Sequence, residues 1–428
     1  MEFGDFALGV GRIAVQIFSI SWWVLLPVGL FFIWHHFWFW GLNRLWRKKQ
    51  SWVLLEIKIP RNILKTPKAM ENVFSALHAM YIRPMGFEDI YFKGEELFWF
   101  TCELVGYAGG VSFYIRCLKG FRNLVESAVY AEYPDAELHE AEDYTELMPN
   151  VLPNDIYDLW GNDFILAKEN PYPIRTYPFF EANVDEQRLD PVAAITEVMS
   201  RLKEGEAIWL QYLLRPVPGD WKKEGEELRD KMMERKKEKP KGLLEGIVEG
   251  LVQFLKNLSL ATVESPNWPG QEKKEEKFKM LHQSPGEKLI LEGIDNKISK
   301  LGFEAAIRFI YIDRQDSFSP ANISAVFGAI RQWNTLDMNA FKQLSDTVTF
   351  VTSRKLTIQS WFRKSRVYLK KRLIYEMYKL RWFPPKHSVL NTEELATIFH
   401  FPLVTVEAPL LRRLDSKKGE PPSNLPIE

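Results

Sequence analysis

The chain has 428 residues, 46% of them hydrophobic, and its 56 Lys and Arg residues balance 56 Asp and Glu residues. A net charge of zero argues against a protein that coats nucleic acid along its whole length, because such binding rests on an excess of positive charge. Beside any membrane segment, the length allows two soluble domains of ordinary size.

The N-terminal region carries the strongest signal in the chain. Residues 13–40 form a run of 28 residues without Asp, Glu, Lys or Arg. A helix of roughly 20 apolar residues crosses a bilayer core, so this run is long enough to span a membrane with some tilt. Aromatic rings in the run and basic residues directly after it are typical of a membrane anchor. The predicted anchor residues are Trp22, Trp23, Trp34, Trp38, Trp40, Arg44, Arg47, Lys48 and Lys49.

The basic residues also predict an orientation. Segment 41–50 carries four of them, whereas segment 1–12 offers only Glu2, Asp5 and Arg12. Because positively charged flanks stay in the cytoplasm, we expect a single-pass protein of the inner membrane with residues 1–12 outside and most of the chain cytoplasmic. A cleaved signal peptide is the alternative. The length and bulk of the run, and the absence of an A-x-A-like exit, disfavour it.

Residues 51–145 predict a first α+β module. Apolar runs at 52–59, 97–106, 111–118 and 136–141 are typical of strands, and 67–80 and 121–132 are typical of helices. A short Gly-Gly connection makes the two middle strands a hairpin. The resulting order, β-α-β-β-α-β, is the ferredoxin-like arrangement.

The same order is predicted to return in residues 146–353. Its first strand is either 163–167 or 176–180. A helix at 190–202, a strand at 207–215, a partner strand at 303–313, a helix at 320–333 and a closing strand at 347–352 follow. The expected fold is therefore α+β, with an N-terminal transmembrane helix, two ferredoxin-like modules and a C-terminal helical segment.

An insertion of about 216–301 interrupts the second module. Residues 222–241 are almost entirely charged or glycine and are expected to stay disordered. Residues 242–258 carry a broad apolar helical stripe, which predicts docking on a partner, another subunit, the bilayer surface or the module itself. Residues 286–301 predict an ordinary helix.

Segment 354–386 is basic and aromatic, with eleven Lys or Arg residues against the single acid Glu376. It has three interpretations. The segment follows nucleic-acid phosphates while its rings stack on bases, or it lies on anionic lipid, or it is a structural helix that buries Leu369, Leu373, Met377 and Leu380. The candidate nucleic-acid or lipid contacts are Arg363, Lys364, Arg366, Lys370, Lys371, Arg372, Trp361 and Tyr368.

A search for catalytic motifs finds none. The chain has no P-loop, no G-x-S-x-G, no H-E-x-x-H and no paired C-x-x-C. We therefore predict a protein that is not an enzyme and has no cofactor or metal; a site assembled from dispersed residues remains the alternative. Glu103 is interpreted as surface charge. Cys102 and Cys117 fall on neighbouring predicted strands, where buried thiols are favoured over a disulfide.

The C-terminal region 387–428 resembles a known family. Residues 391–402 read N-T-E-E-L-A-T-I-F-H-F-P, which predicts a capped helix that ends before proline. Residues 417–426 read K-K-G-E-P-P-S-N-L-P. This pairing resembles the segment upstream of the motor domain in membrane-anchored ATPases of conjugation and type IV secretion, within the FtsK–HerA superfamily. Residues 122–137 and 202–216 also look like the non-motor half of that family.

The resemblance implies a function without catalysis. The chain ends where the motor would begin, so ATP hydrolysis is carried over to no residue. The expected protein is a homo-oligomeric membrane scaffold that positions a separate P-loop ATPase. The alternative is a membrane-tethered protein that binds nucleic acid, such as DNA, through 354–386. The residues that the resemblance assigns to motor docking are Asn391, Glu393, Glu394, His400, Pro402, Lys417 and Lys418.

Overall fold

A long N-terminal helix leads into a mixed α+β domain built on an antiparallel sheet. The structure is a computed structural model that describes residues 2–60, 65–81, 86–108, 110–181, 190–233, 285–350 and 363–402. The helices are α1 (Glu2–Lys49), α2 (Pro67–Leu77), α3 (Phe87–Tyr91), α4 (Arg122–Glu132), α5 (Pro178–Glu181), α6 (Ala193–Ser200), α7 (Lys222–Met232), α8 (Pro285–Ile298), α9 (Pro320–Arg331), α10 (Arg363–Lys379) and α11 (Thr392–Ile398). The strands are β1 (Trp52–Lys58), β2 (Phe100–Tyr107), β3 (Gly110–Leu118), β4 (Glu137–Glu140), β5 (Tyr157–Leu166), β6 (Ala207–Pro216), β7 (Gly302–Arg314), β8 (Phe341–Gln343) and β9 (Ser388–Asn391).

Within the described residues, nine strands form a single sheet. Their order is β4-β1-β3-β2-β6-β7-β5-β8, and β9 pairs with the start of β7. Counted inward from each edge of the sheet, the two halves have equivalent orders: β4-β1-β3-β2 from one edge and β8-β5-β7-β6 from the other. The two halves meet where β2 pairs with β6. The sheet is therefore continuous across the boundary between the two halves of the sequence.

The predicted pairing across the insertion is confirmed. β6 and β7 are antiparallel neighbours, with Ala207 opposite Ile312 and Pro216 opposite Phe303. The insertion thus separates two strands in sequence without separating them in the sheet. The predicted hairpin of β2 and β3 is also confirmed, with Tyr107 opposite Gly110.

The sheet is covered on both faces. On the first face, α2, α4, α6, α9 and α11 pack over side chains such as Phe100, Cys102 and Leu104. On the second face, α10 covers side chains that alternate with these, such as Val105 and Trp209. Strands buried on both sides read as largely apolar runs, and residues 207–214 of β6 are all buried.

Both cysteines are buried free thiols, as the sequence favoured. Cys102 and Cys117 lie in the core of the first face and are not bonded to each other. Burial raises the pKa of Cys117 to about 12, so this thiol is protonated at neutral pH. Neither thiol is accessible to reagents in solution.

Two predicted strands differ from the structure. The first strand of the second half is β5, which overlaps the 163–167 alternative, while the 176–180 alternative contains the short helix α5. The closing strand is β8, earlier than the predicted 347–352. Thr347 and Thr349 still line the same edge, because their hydroxyl oxygens accept hydrogen bonds from the amides of Asp163 and Gly161.

Part of the charged insertion is ordered, contrary to prediction. Residues 222–232 form α7, which lies against α8. Gly225 is the one buried residue of α7, and a Cβ there would lie 2.3 Å from the Ile298 side chain. Arg229 adds an ion pair with Asp295 at 3.2 Å. A close backbone approach therefore replaces the apolar face that the sequence lacks. The rest of the segment, and the stripe at 242–258, lie outside the described residues.

Phe74 provides a test of the core on the first face of the sheet. Its ring is fully buried on α2 and makes edge contacts with Phe303 of β7 and Phe399 after α11, each with 6.4 Å between ring centroids. We expect Phe74→Ala to lower the free energy of unfolding by about 3–5 kcal/mol, because it leaves a cavity where three elements meet. Urea denaturation followed by near-UV circular dichroism measures the change. Leu336→Ala, at a side chain 98% exposed, should change it by less than about 0.5 kcal/mol.

Candidate functional site

The end of α1 is packed into the folded domain rather than joined to it by a linker. Trp46 is buried, and its ring lies 5.0 Å from that of Phe98. Arg47 pairs with Glu96, with 2.7 Å between Nε and Oε2, and its guanidinium lies 5.0 Å from the ring centre of Trp382. The segments before β2 and after α10 therefore hold this end of α1.

A glycine permits α1 to approach the domain closely. Gly94 has a φ of +66°, in the left-handed region that favours glycine, and a Cβ there would lie 2.7 Å from Cβ of Leu42. Closer to the N-terminus of α1, the ring centroid of Phe39 lies 6.0 Å from that of Tyr91. The contact thus reaches the end of the charge-free run.

Among the described residues, α1 holds the one segment long and apolar enough to cross a membrane, Ser21–Lys49. This finding rests on length and composition, features that a signal sequence near the N-terminus shares. The five tryptophans predicted as anchor residues, Trp22, Trp23, Trp34, Trp38 and Trp40, are all exposed. Arg44, Lys48 and Lys49 are also exposed, whereas Arg47 is used in the docking contact.

The basic helix α10 buries its aromatic side. Tyr375 and Tyr378 pack on Trp209, and their hydroxyls have partners: Tyr375 donates to the carbonyl of Pro149, and the Tyr378 hydroxyl lies 2.7 Å from that of Tyr144. Phenol rings can be buried when their hydroxyls are paired. The predicted burial of the leucines is therefore wrong: Leu369, Leu373 and Leu380 are each more than half exposed, and Met377 is partly buried.

The helix α10 runs away from the junction with α1. Its end adjoins Trp382, which contacts Arg47, while its first turns face Asp158 and Gln315, where β5 begins and β7 ends. Seventeen helical residues span about 26 Å. The exposed basic residues at the start of α10 therefore lie at the end of the domain opposite α1.

The predicted contact residues on α10 fall into two groups. Lys370 donates to the carbonyls of Ser345 and Val348, and Lys371 binds both carboxylate oxygens of Asp158 at 2.6 and 2.7 Å. These two lysines are engaged inside the domain. The exposed members are Arg363, Lys364, Arg366, Tyr368 and Arg372. Trp361 lies outside the described residues.

An open cleft of about 640 Å³ lies between the start of α10 and the loop before β5. Its lining has both signs of charge, with Asp155 and Asp158 facing Arg363 and Lys364. Mixed charge does not suit a polyanion inside the cleft. A nucleic-acid contact at α10 would use its outer surface.

A buried ion pair fixes the end of α10 to the sheet. Arg381 and Glu103 are both almost fully buried, with 3.1 Å between Nε and Oε1 and 3.2 Å between Nη2 and Oε2. Arg381 also pairs with Asp143, and the Tyr144 hydroxyl donates to Glu103 at 2.6 Å. The prediction that Glu103 is surface charge is wrong. Its partner lies 278 residues away in the sequence.

The charges of this cluster stabilise one another. Burial by itself would raise the pKa of Glu103. The positive charge and the hydrogen bonds of Arg381, together with the hydrogen bond from Tyr144, instead hold this pKa below its ordinary value. Burial likewise acts to raise the pKa of Asp143, and the hydrogen bonds and charge of Arg381 hold it below its ordinary value. For Arg381, burial acts to lower the pKa, and the two carboxylates raise it well above its usual range. All three groups are therefore charged at neutral pH.

Arg381 also ends α10. It has a φ of +48°, its amide donates to the carbonyl of Tyr378, and the Trp382 amide donates to that of Met377. This is the Schellman pattern, in which glycine is usual at the left-handed position. A larger residue there costs on the order of 1–2 kcal/mol, and the ion pairs of the Arg381 side chain offset that cost.

A second buried arginine caps the same helix end. Arg308 of β7 pairs with Asp163 of β5, with 2.8 Å between Nε and Oδ1. Its Nη1 donates to the carbonyls of Met377 and Trp382, at 2.9 and 3.3 Å. Positive charge at a helix C-terminus satisfies carbonyls that have no partner within the helix. Both arginines thus tie α10 to the central strands.

The C-terminal helix is capped as predicted. The Asn391 side chain accepts a hydrogen bond from the Glu394 amide, and the Glu394 carboxylate accepts one from the Asn391 amide. Glu394 also pairs with Lys297 at 3.0 Å, with both side chains fully buried. Burial raises the pKa of Glu394 and lowers that of Lys297, and their mutual attraction offsets part of each shift.

The residues predicted to dock a motor lie mostly inside the fold. His400 contacts the carbonyl of Ala396 and the carboxylate of Asp190, which also accepts hydrogen bonds from the amides of Val192 and Ala193 where α6 begins. Glu393 pairs with Lys300. Asn391, Glu394, His400 and Pro402 are buried, so these four hold α11 in place and present no surface to a separate protein. Lys417 and Lys418 lie outside the described residues.

Within the described residues, no group of three or more His, Cys, Asp or Glu side chains is placed to hold a metal ion. The strongest charge clusters, around Arg381 and Arg308, are closed by their own ion pairs and hydrogen bonds. Buried, mutually satisfied networks of this kind fix a fold. The accessible features that point outward are the exposed side of α1, the outer surface of α10 and the turn that contains α3.

A sequence model of one protein family matches residues 44–410, which is most of the chain. The chain belongs to the family of domains of unknown function DUF8128. The DUF8128 region takes in the docked end of α1, the whole sheet and α11, and it begins after the charge-free run. No curated protein matches the sequence.

The Arg381 cluster gives a test with a defined pH dependence. Glu103→Gln leaves the buried Arg381 with one carboxylate partner, and we expect it to lower the free energy of unfolding by about 3–5 kcal/mol at neutral pH. Because the folded-state pKa of Glu103 lies below its ordinary value of 4.5, the stability from this group is present above that pH and is lost as pH falls below it. Urea denaturation at a series of pH values measures both effects.

The control for this test is Glu142→Gln, at an exposed glutamate beside Asp143. The free energy of unfolding of this variant should depend on pH in the same way as that of the parent protein. The Glu103→Gln profile should be flatter on the acid side than that of the parent. Profiles that run parallel would contradict the assignment of the ionised form to Glu103.

Proposed function

We propose that this protein is a membrane-anchored, non-catalytic scaffold whose domain is held in a fixed orientation at the cytoplasmic face of the inner membrane. The observation that carries the proposal is the junction of α1 with the domain. Trp46, Arg47 and the close approach at Gly94 join an apolar helix to the sheet without a flexible linker. A bilayer that holds the helix would therefore also hold the domain.

The same junction favours an anchor over a signal peptide. Signal peptides are removed, whereas the last turns of α1 contribute a buried tryptophan and an ion pair to the domain. The contact of Phe39 with Tyr91 extends this docking into the apolar run. The four basic residues after that run support a cytoplasmic location for the domain.

We propose further that each half of the sheet is a ferredoxin-like module. The orders β4-β1-β3-β2 and β8-β5-β7-β6 support this, since each is the order expected of a β-α-β-β-α-β chain. In this view, two modules join edge to edge through β2 and β6. Pairing of those edges protects both from strand addition by other chains.

The partner in this proposal is a P-loop ATPase supplied by a separate chain, and homo-oligomerisation is expected because motors of that superfamily act as rings. Support for this step comes from the resemblance of residues 391–402 and 417–426 to the segment upstream of such motors. Since most side chains of the first segment are buried, a docking surface would lie on exposed residues nearby. Lys386, 62% exposed in its side chain, is the closest described lysine before α11.

Crosslinking mass spectrometry on the tagged protein in its native membranes tests the partner. We expect lysine crosslinks from Lys386, Lys417 or Lys418 to a P-loop ATPase. Lys203, an exposed lysine in the turn before β6, is the internal control and should not give them. Crosslinks from the first three lysines that reach only other copies of this chain would contradict the scaffold proposal.

Nucleic-acid binding through α10 is the second candidate. It is favoured by the exposure of Arg363, Arg366 and Arg372 along α10, with Tyr368 exposed among them. The first two lie at the end of the domain opposite α1. Charge reversal at Lys370 or Lys371 would break contacts inside the domain. Charge reversal at the exposed arginines is therefore the better test. In this view, a strand of DNA lies along the outer surface of α10.

The test is the triple variant Arg363→Glu, Arg366→Glu and Arg372→Glu. If α10 binds DNA, fluorescence anisotropy with a labelled duplex should show weaker binding. The salt dependence should also become flatter, by about 0.9 in log–log slope for each phosphate that the variant no longer neutralises. The matched control changes net charge equally at exposed sites elsewhere: Lys203→Glu, Arg331→Glu and Lys342→Glu. Equal binding by both variants would remove this candidate.

A further inference from the structure

We infer that the turn at residues 86–93, which contains α3, is a second membrane-contacting element that inserts its aromatic rings into the lipid interface beside α1. The inference rests on the proposed membrane anchor and adds to it a second point of contact. Its ligand is the bilayer interface, where headgroups meet acyl chains. The turn is part of the long connection between α2 and β2.

The turn exposes an unusual set of aromatic rings. Phe87 and Phe92 are 70% and 71% exposed, and Tyr91 is 42% exposed. The three rings are neighbours, with 4.4 Å between the centroids of Phe87 and Tyr91 and 6.4 Å between those of Phe87 and Phe92. Single exposed apolar side chains are ordinary, but a contiguous apolar patch marks an interaction surface.

The position of the patch identifies what covers it. Tyr91 contacts Phe39, which lies at the end of the charge-free run, and Gly94 contacts Leu42 one turn later. Along the axis of α1, Phe39 precedes Arg44 by about 8 Å. The rings therefore lie on the lipid side of the basic residues, at the depth where aromatic side chains are enriched in membrane proteins.

Several polar groups of the turn are paired within the turn itself, which suits a partly apolar environment. The amides of Ile90 and Phe92 donate to the carbonyls of Gly86 and Glu88. Asp89 accepts hydrogen bonds from the Gly86 amide and from Lys93. These bonds lower the cost of bringing the turn into the interface, and the exposed carboxylate of Glu88 would stay among the lipid headgroups. The exposed Lys93 can reach lipid headgroups.

Two contact points would define how the domain stands on the membrane. A domain fixed to a single helix still tilts together with that helix. A second insertion beside the helix restricts this tilt. The start of β2 would then face the bilayer, and the first turns of α10 would face away from it.

The test uses an environment-sensitive fluorophore on single introduced cysteines. The full chain is reconstituted into vesicles of phosphatidylcholine and phosphatidylglycerol, and an NBD label is placed at Phe92→Cys, Gly29→Cys or Phe179→Cys. The buried native thiols leave the introduced cysteine as the reactive one. Gly29 lies in the apolar run and has no atom within 4 Å of an added Cβ. Phe179, 58% exposed on α5, is the matched control on the domain surface. Quenching by brominated lipid reports contact with lipid, and quenching by iodide reports contact with water.

We expect the label at position 92 to be quenched several-fold more by brominated lipid, and several-fold less by iodide, than the label at 179. A label at 29 quenched by lipid together with a label at 92 open to iodide would overturn the inference and leave the anchor standing. A label at 92 shielded from both quenchers would show that protein, such as a second copy of this chain, covers the patch, which also overturns it. A label at 29 that lipid does not quench would remove the anchor and the inference together.

Discussion

The ion pair between Arg381 and Glu103 joins three parts of the molecule that are far apart in sequence. Glu103 is a central residue of β2, Arg381 follows α10, and the next residue, Trp382, contacts Arg47 at the end of α1. The position of the N-terminal helix thus depends on the geometry of a charge pair on the second face of the sheet. A charge pair without water is stable only when each group is fully satisfied. Asp143, Tyr144, Thr101 and Gln211 supply the remaining hydrogen bonds.

The continuous sheet explains why such a pair is needed. Joining two halves through β2 and β6 places these strands in the middle of a wide sheet, where both faces must be covered. Helices of the two halves cover one face, and α10, from the C-terminal part of the chain, covers the other. Because α10 exposes three leucines and much of its charge, its burial is limited to a narrow side. The buried arginines at its end supply directional contacts that the modest apolar contact lacks.

Much of the fold can be read from the amino-acid sequence because its strands and helices are local patterns. Alternating or continuous apolar runs predict most strands, and capping residues such as Asn391 predict helix starts. What sequence reasoning misses depends on distant partners. Glu103 looks like surface charge until Arg381 lies beside it. The end of α10 escapes detection because an arginine, not a glycine, occupies the left-handed position. The candidate membrane site shows the same division: composition alone predicts α1, whereas the aromatic turn at 86–93 has no periodic signal and gains meaning only from its proximity to Phe39 and Leu42.

The pairing of β6 with β7 has a consequence for how the chain accommodates its insertion. The two strands would form an ordinary hairpin if the intervening residues were few, and the register between them runs without interruption to Pro216 and Phe303. The ion pair of Arg229 with Asp295 closes the insertion at its base, because α7 and α8 lie against each other. The alignment of the two strands thus rests on their own register and on the contact of α7 with α8. We therefore expect the length and content of the stretch between those helices to vary among proteins of the family while the sheet that carries it stays the same.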